Sequence, residues 1–234
     1  MADRPGVAIS EGDPQGLLHI WLSPAFPVSG FAYSQGLEAA VLQGTVNDGT
    51  GLRGWLEALA EHGPLGQDLI IMALIDRAGD NASLQEACAL SSALQTTRER
   101  HLEAHAQGDG FRMAYRAGWQ RPDALTNAIW DDEARPLTLA AAVALAGRDH
   151  AIACPVTLRA FAINTVSQGL SAAMRLSVIG QFEAQRITAA LLPSLQRACA
   201  DALTSHERDL GTATVMVDLL SMAHETQTVR VFRS

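Results

Sequence analysis

The 234-residue chain contains no lysine at all; its seventeen basic side chains are all arginine. Without a lysine there is no Schiff-base chemistry, which excludes pyridoxal-phosphate and aldolase-type mechanisms. The same absence removes the Walker A lysine, so the chain is not itself a P-loop nucleotidase. Cysteine is scarce: Cys88, Cys154 and Cys199 are odd in number, far apart and form no CxxC pair. That usage fits a reducing compartment and no disulfide framework. Aromatics make up 5% and charged residues 18%, with a net charge of −8. An acidic chain lacks the basic face that phosphate neutralisation needs, so no nucleic-acid partner is expected. The segment Met1–Gly16 is polar and has no apolar signal core. The longest apolar stretch, Leu137–Gly147, is far short of the ~20 residues that span a bilayer. These features point to a cytoplasmic protein with no membrane partner.

What is abundant is alanine and leucine, 40 and 29 residues respectively, and both favour helix. Leu52, Trp55, Leu56 and Leu59 fall at i, i+3, i+4, i+7, and Met216, Leu219, Leu220 and Ala223 repeat the spacing. Each set predicts one apolar stripe facing a core. Ser83 followed by Glu86 reads as a capping box opening a long helix toward Gln107, punctuated by Gly108 and Gly110. Pro155 suits the start of a helix, whereas Pro193 predicts a kink or break. Leu69–Ile75 reads either as a buried strand or as a buried helix; no partner strand is visible, which favours helix. The expected architecture is all-α: a single-domain helical bundle of about nine or ten helices over 17–224, with a flexible segment at 1–16 and a tail at 225–234.

Three stretches carry a more specific signature. SPAFPVSGFAYSQGLE spans Ser23–Glu38, MRLSVIGQ spans Met174–Gln181, and HETQTVRVFRS closes the chain from His224 to Ser234. Prolines stiffen the first stretch as an extended loop, and Phe31, Tyr33 and Leu37 can anchor the next helix in the core. In this order the three segments resemble the UreF family of urease accessory proteins, whose pattern runs close to SPALPVGAFSYSQGLE, then VRLGPLGQ, then HE with a RLFRS end. The resemblance spans about Leu17 to Ser234. Two departures stand out: Ser29-Gly30 replaces Gly-Ala or Gly-Gly, and Ser177-Val178 replaces Gly-Pro.

The resemblance implies an all-α, usually dimeric scaffold with no catalytic activity of its own. Such a scaffold sits between the GTPase UreG and the accessory protein UreD (also called UreH), and supports GTP-dependent nickel insertion into the urease apoprotein. Nickel is then handled by the complex, with no cofactor held by this chain. A GTPase-activating role through an arginine finger is the alternative within the family, and a stand-alone metal-binding all-α protein is the alternative outside it. Matching positions make Glu38, Asp68 and Arg175 candidates for the GTPase-facing surface. Asp68 can equally complement the dipole at a helix start, and Arg175, a charge in an apolar stretch, calls for a carboxylate partner within the chain or across an interface. Gln181 and Gln185, four apart on one face, suit a dimer interface or a polar passage. Arg230, Phe232 and Arg233 form the tail expected to bind UreD, with Phe232 as its apolar anchor.

Metal-ligand and nucleophile patterns are weak. His101 and His105 share a helix face and are the best-spaced metal candidates. His150 and Cys154 have the same spacing, but Pro155 disfavours a helical Cys154. His224-Glu225 starts a zinc-protease motif that Thr228 leaves unfinished. Gly169-Leu170-Ser171 lacks the second glycine and the strand of a nucleophile elbow.

Overall fold

The computed structural model describes residues 13–121 and 125–233. Among them are eleven α-helices and two short 3-10 turns, with no strand. Residues 1–12 of the segment expected to be flexible lie outside the described residues, and 14–16 already form the first turn of α1 (Pro14–Trp21).

The centre of the molecule is α4 (Pro64–Arg77), the helix containing the ambiguous apolar run. It packs against α3 (Gly49–His62), α5 (Asn81–Ala93), α8 (Leu139–Asp149), α9 (Cys154–Arg175) and α10 (Gln181–Thr204). Leu69, Ile71, Met72 and Ile75 are all buried, so a helix apolar on most sides is satisfied by neighbours on most sides. The predicted stripe on α3 is buried as expected, each large side chain contributing roughly 1.5–3 kcal/mol. An all-alanine stretch in α8, Ala140–Ala142, lets α4, α9 and the helix over 98–118 approach it closely.

The capping box lies three residues upstream of the predicted one. Asp80 is the N-cap and accepts from the Ser83 amide at 2.8 Å, so Ser83 is the third helical residue of α5. The expected long helix is in fact two, because Thr97 caps α6 (Arg98–Gly118) after a break at 94–97. Gly108 and Gly110 do not end α6; they are points of close approach inside it. A Cβ on Gly108 would lie 1.9 Å from the Leu137 carbonyl oxygen, and one on Gly110 would lie 2.9 Å from that of Pro27. Pro193 likewise does not interrupt α10, which runs unbroken for 24 residues. Pro193 is on the exposed side, and packing of α10 on α3, α4 and α9 outweighs the one lost backbone hydrogen bond. Pro155 occupies the first turn of α9 as predicted, but Cys154 is itself the first helical residue.

After the one-turn α7 (Asn127–Trp130), α9 and α10 form a hairpin around 176–180. The last helix, α11 (Val215–Glu225), lies on α6 and on α2 (Leu37–Leu42). Its buried residues are Val217, Leu220, Ser221 and His224. Of the stripe expected to face the core, Met216 and Leu219 are instead exposed.

Candidate functional site

The segment between α1 and α2 is held by local bonds and a sequence of special backbone angles. Ser23 donates to the Ile20 carbonyl at 2.8 Å, and Ser29, Gln35 and Gly36 all have positive φ. Gly36 has no alternative: a Cβ there would sit 3.3 Å from the Ser221 backbone nitrogen of α11. This close approach places Glu38, in the first turn of α2, directly beneath the carboxyl-terminal tail.

Glu38 is 5% exposed and its carboxylate accepts four hydrogen bonds. The donors are the amides of Val231 (2.7 Å) and Phe232 (2.9 Å), the Gln227 side chain (3.2 Å) and His224 Nε2 (3.1 Å). Burial alone would raise the Glu38 carboxyl; the Val231 amide, His224 and the Phe232 amide outweigh it and hold the group below its ordinary value. His224 is fully buried, and its other ring nitrogen, Nδ1, faces both Glu99 oxygens at 2.8 and 3.0 Å. Ionised carboxylates only accept, so both contacts are satisfied when both ring nitrogens carry protons. Arg230 closes the chain by donating to Glu99 at 2.9 Å. Both carboxylates are thus fully hydrogen-bonded, by the His224 ring, the Arg230 guanidinium, the Gln227 side chain and two backbone amides, which is what makes their burial tolerable.

The tail is fastened at further points. Arg233 donates its amide to the Ala32 carbonyl at 2.8 Å, and Arg230 donates to the carbonyls of Gln227 and Glu225. The Phe232 ring is buried, with the Arg175 guanidinium 4.2 Å above its centroid. Arg175 also donates to the Phe31 carbonyl. Its expected carboxylate partner is therefore replaced by an aromatic face and a backbone oxygen. A cavity of about 140 Å3 lies alongside, lined by Trp21, Phe26, Tyr33, Gln168, Arg175 and Phe232 among others. Phe31 remains exposed at its mouth.

Sequence reasoning put Glu38 and Arg175 on one candidate partner-facing surface and Arg230, Phe232 and Arg233 in a partner-binding tail; the structure brings them into one clasp, in which Glu38 is buried and offers no face to a partner. Sequence reasoning missed Glu99, which carries no signal of its own because its partners are more than 120 residues away. It also missed the outer face of α11, where Val215, Met216, Leu219 and Met222 are exposed alongside Val229 and Val231 in the tail.

The remaining candidates lie elsewhere. Asp68 is in the second turn of α4 and caps nothing; it lines a narrow internal cavity with Arg100, Glu103, Gln35, Gln107 and Gln168. Burial there pushes its carboxyl up to about 6, with Arg100 opposing and Glu103 adding to the rise. Gln181 and Gln185 are exposed on the first turns of α10 with Phe182, which is 85% exposed, between them. His101 and His105 do meet, with ring centroids 4.1 Å apart. Both nitrogens of His105 are engaged, however, with Ser92 Oγ and the His101 carbonyl, each at 2.8 Å. Burial lowers the pKa of His105, and no lone pair of its ring is left pointing at a shared ion. His150 caps α8 and donates to the Trp119 carbonyl, so it shares no helix with Cys154. Gly169 and Ser171 are ordinary residues of α9. Among the described residues no three His, Cys, Asp or Glu side chains are arranged to hold a metal, and no helix is long and apolar enough to cross a membrane.

A family model described as UreF matches residues 46–192. A Bradyrhizobium protein named urease accessory protein UreF is 39% identical over 240 residues, covering 100% of this chain and 99% of its own length. One of the same name from Rhodopseudomonas palustris is 42% identical over 220 residues, covering 93% and 92%. A third, from Agrobacterium fabrum, is 41% identical over 218 residues, covering 93% and 95%.

Proposed function

The chain belongs to the UreF family of urease accessory proteins, and on that premise we propose that it is a non-catalytic scaffold for urease maturation. In this reading it joins UreD to the GTPase UreG and supports GTP-dependent insertion of nickel into the urease apoprotein. Nickel is cargo of the assembly. The scaffold works as a homodimer in the cytoplasm, with the exposed Gln181, Phe182 and Gln185 surface as the candidate contact between copies.

One observation carries the proposal. The three signature segments, 23–38, 174–181 and 224–234, are far apart in the chain but meet in a single clasp through Glu38, Arg175 and Phe232. The buried clasp fixes the loops around it, and the side chains they leave exposed, Phe31, Val229 and Val231 among them, form a defined surface where partners can dock, because loops positioned by a rigid scaffold carry recognition. The clasp holds no nucleophile beside a free base, which supports binding over catalysis. The arginine-finger alternative draws no support from Arg175, whose guanidinium is occupied by Phe232 and the Phe31 carbonyl.

The test is complementation. In a host lacking this gene, the intact chain should restore urease activity and co-purify with UreD and UreG. Phe232→Ala, which unfastens the tail from the body, should weaken capture of UreD, and Arg175→Ala should weaken capture of UreG. Full urease activation without the chain, or retention of both partners by both variants, refutes the reading.

A further inference from the structure

The cavity beside the clasp has walls of two kinds. Trp21, Phe26, Val28, Ala172 and Phe232 supply aromatic and apolar surface. The others form a polar edge of α9: Asn164, Gln168 and Ser171 fall at i, i+4, i+7 and all line the space. Gly30, also in the wall, makes room for the Gln168 amide, since a Cβ there would lie 2.8 Å from Gln168 Nε2. Among the described residues neither the Asn164 nor the Gln168 side chain makes a hydrogen bond, so both amides keep donors and an acceptor unused at the cavity wall. Arg175 lines the cavity too, but its guanidinium is engaged by the Phe31 carbonyl and the Phe232 ring. The volume, about 140 Å3, is close to that of an apolar protein cavity that takes up benzene.

We propose that this cavity is a binding site for a small neutral aromatic molecule with one hydroxyl, phenol being its simplest form. The ring lies against Trp21, Phe26 and Phe232, and the hydroxyl hydrogen-bonds to the Gln168 amide. Burial of the ring supplies most of the affinity. The hydroxyl selects phenol over toluene, a ligand of the same shape, because toluene displaces water from the amide and replaces none of its hydrogen bonds. Phe232 belongs to the tail, so the site is complete only when the tail is docked. Ligand and docked tail therefore stabilise one another.

Ligand-observed NMR titration of the full chain with phenol and with toluene tests this, with amide exchange followed in parallel. Phenol should bind at least ~3-fold more tightly than toluene, the effect of one hydrogen bond. At ten times its Kd, phenol should slow exchange of the Val231 and Phe232 amides roughly tenfold, as expected for a ligand that binds only the docked form. Ser171→Phe, which fills the cavity from an exposed wall position, should abolish binding of both ligands and leave the thermal midpoint unchanged. Gln168→Met should keep toluene binding, which shows that the cavity is intact, and erase the preference for phenol. No saturable phenol binding, equal affinity for the two ligands in the natural chain, tail exchange unaltered by phenol, or phenol binding unchanged in Ser171→Phe would each overturn the proposal.

Discussion

Glu38 satisfies four donors with one buried carboxylate, so its ionisation and the docking of the tail are a single event. The unfolded carboxyl titrates near 4.5 and the folded one lower. Folding therefore favours the ionised form; that contribution is complete above about pH 4.5 and disappears as pH falls through the folded value. Amide exchange at Val231 and Phe232 should be slow at neutral pH and accelerate in acid, ahead of exchange in α4. Glu38→Gln should loosen these amides at every pH and cost about 3 kcal/mol in urea denaturation, because it places amide hydrogens against existing donors. Slow exchange in that variant would show that Phe232 and the Arg230 and Arg233 contacts hold the tail without the Glu38 carboxylate. A second residue-scale observation concerns the two departures from the family pattern. Ser29 and Ser177 both have left-handed φ, 55° and 61°, at the positions where the pattern has glycine. Left-handed backbone costs an L side chain roughly 1–2 kcal/mol, partly offset in glycine by greater freedom when unfolded. Ser177→Gly should therefore stabilise the chain by about 0.5–1 kcal/mol and leave the placement of Gln181 intact, as a thermal melt and co-purification assays will show.

At the scale of elements, what was legible is what periodicity alone decides. The α3 stripe could face only one way, and the alanine-rich α8 could only be helix. Local pattern failed where a distant element made the decision. In α11, apolar residues occur all round, and the choice of inner face is made by His224, which is fixed between Glu99 and Glu38. The clasp was legible as three motifs but not as one site, since nothing in a linear pattern gives the Glu99 contact. The glycines of α6 show the same limit: Gly108 reads as a breaker locally, yet its role is to let α6 lie against the start of α8. Gly108→Ala is the test. Its Cβ would meet backbone, which cannot rotate away, so a loss of several kcal/mol, about 3 or more, is expected by urea denaturation. In contrast, Gly54→Ala on the exposed side of α3 meets nothing within 4 Å and should gain up to about 1 kcal/mol. A neutral Gly108→Ala would mean that α6 and α8 can separate freely.

In the whole molecule, the tail does two things with one segment: it supplies hydrogen-bond donors to the buried Glu38 and Glu99 carboxylates and it lies beside an apolar surface left open. Phe232 faces inward, so the anchor expected to reach UreD is already spent on the body of the protein. The apolar area that remains available is Val215, Met216, Leu219 and Met222 on α11, continued by Val229 and Val231. A stripe of that length on one side of a helix is more than the scattered apolar residues a monomer ordinarily exposes. If UreD docks at this end of the molecule, the α11 face supplies the apolar contact and the charged clasp beneath it sets the position of the tail. The double variant Leu219→Glu, Met222→Glu separates the two contributions. Both side chains point outward, so stability should change by no more than about 0.5 kcal/mol per site and the Val231 and Phe232 amides should stay protected. Co-purification with UreD should fall at least ~10-fold, because two carboxylates would be desolvated without partners, while capture of UreG should change only as far as it depends on UreD. Undiminished UreD capture by a well-folded double variant would assign the docking surface to another face and leave the α11 stripe without a partner.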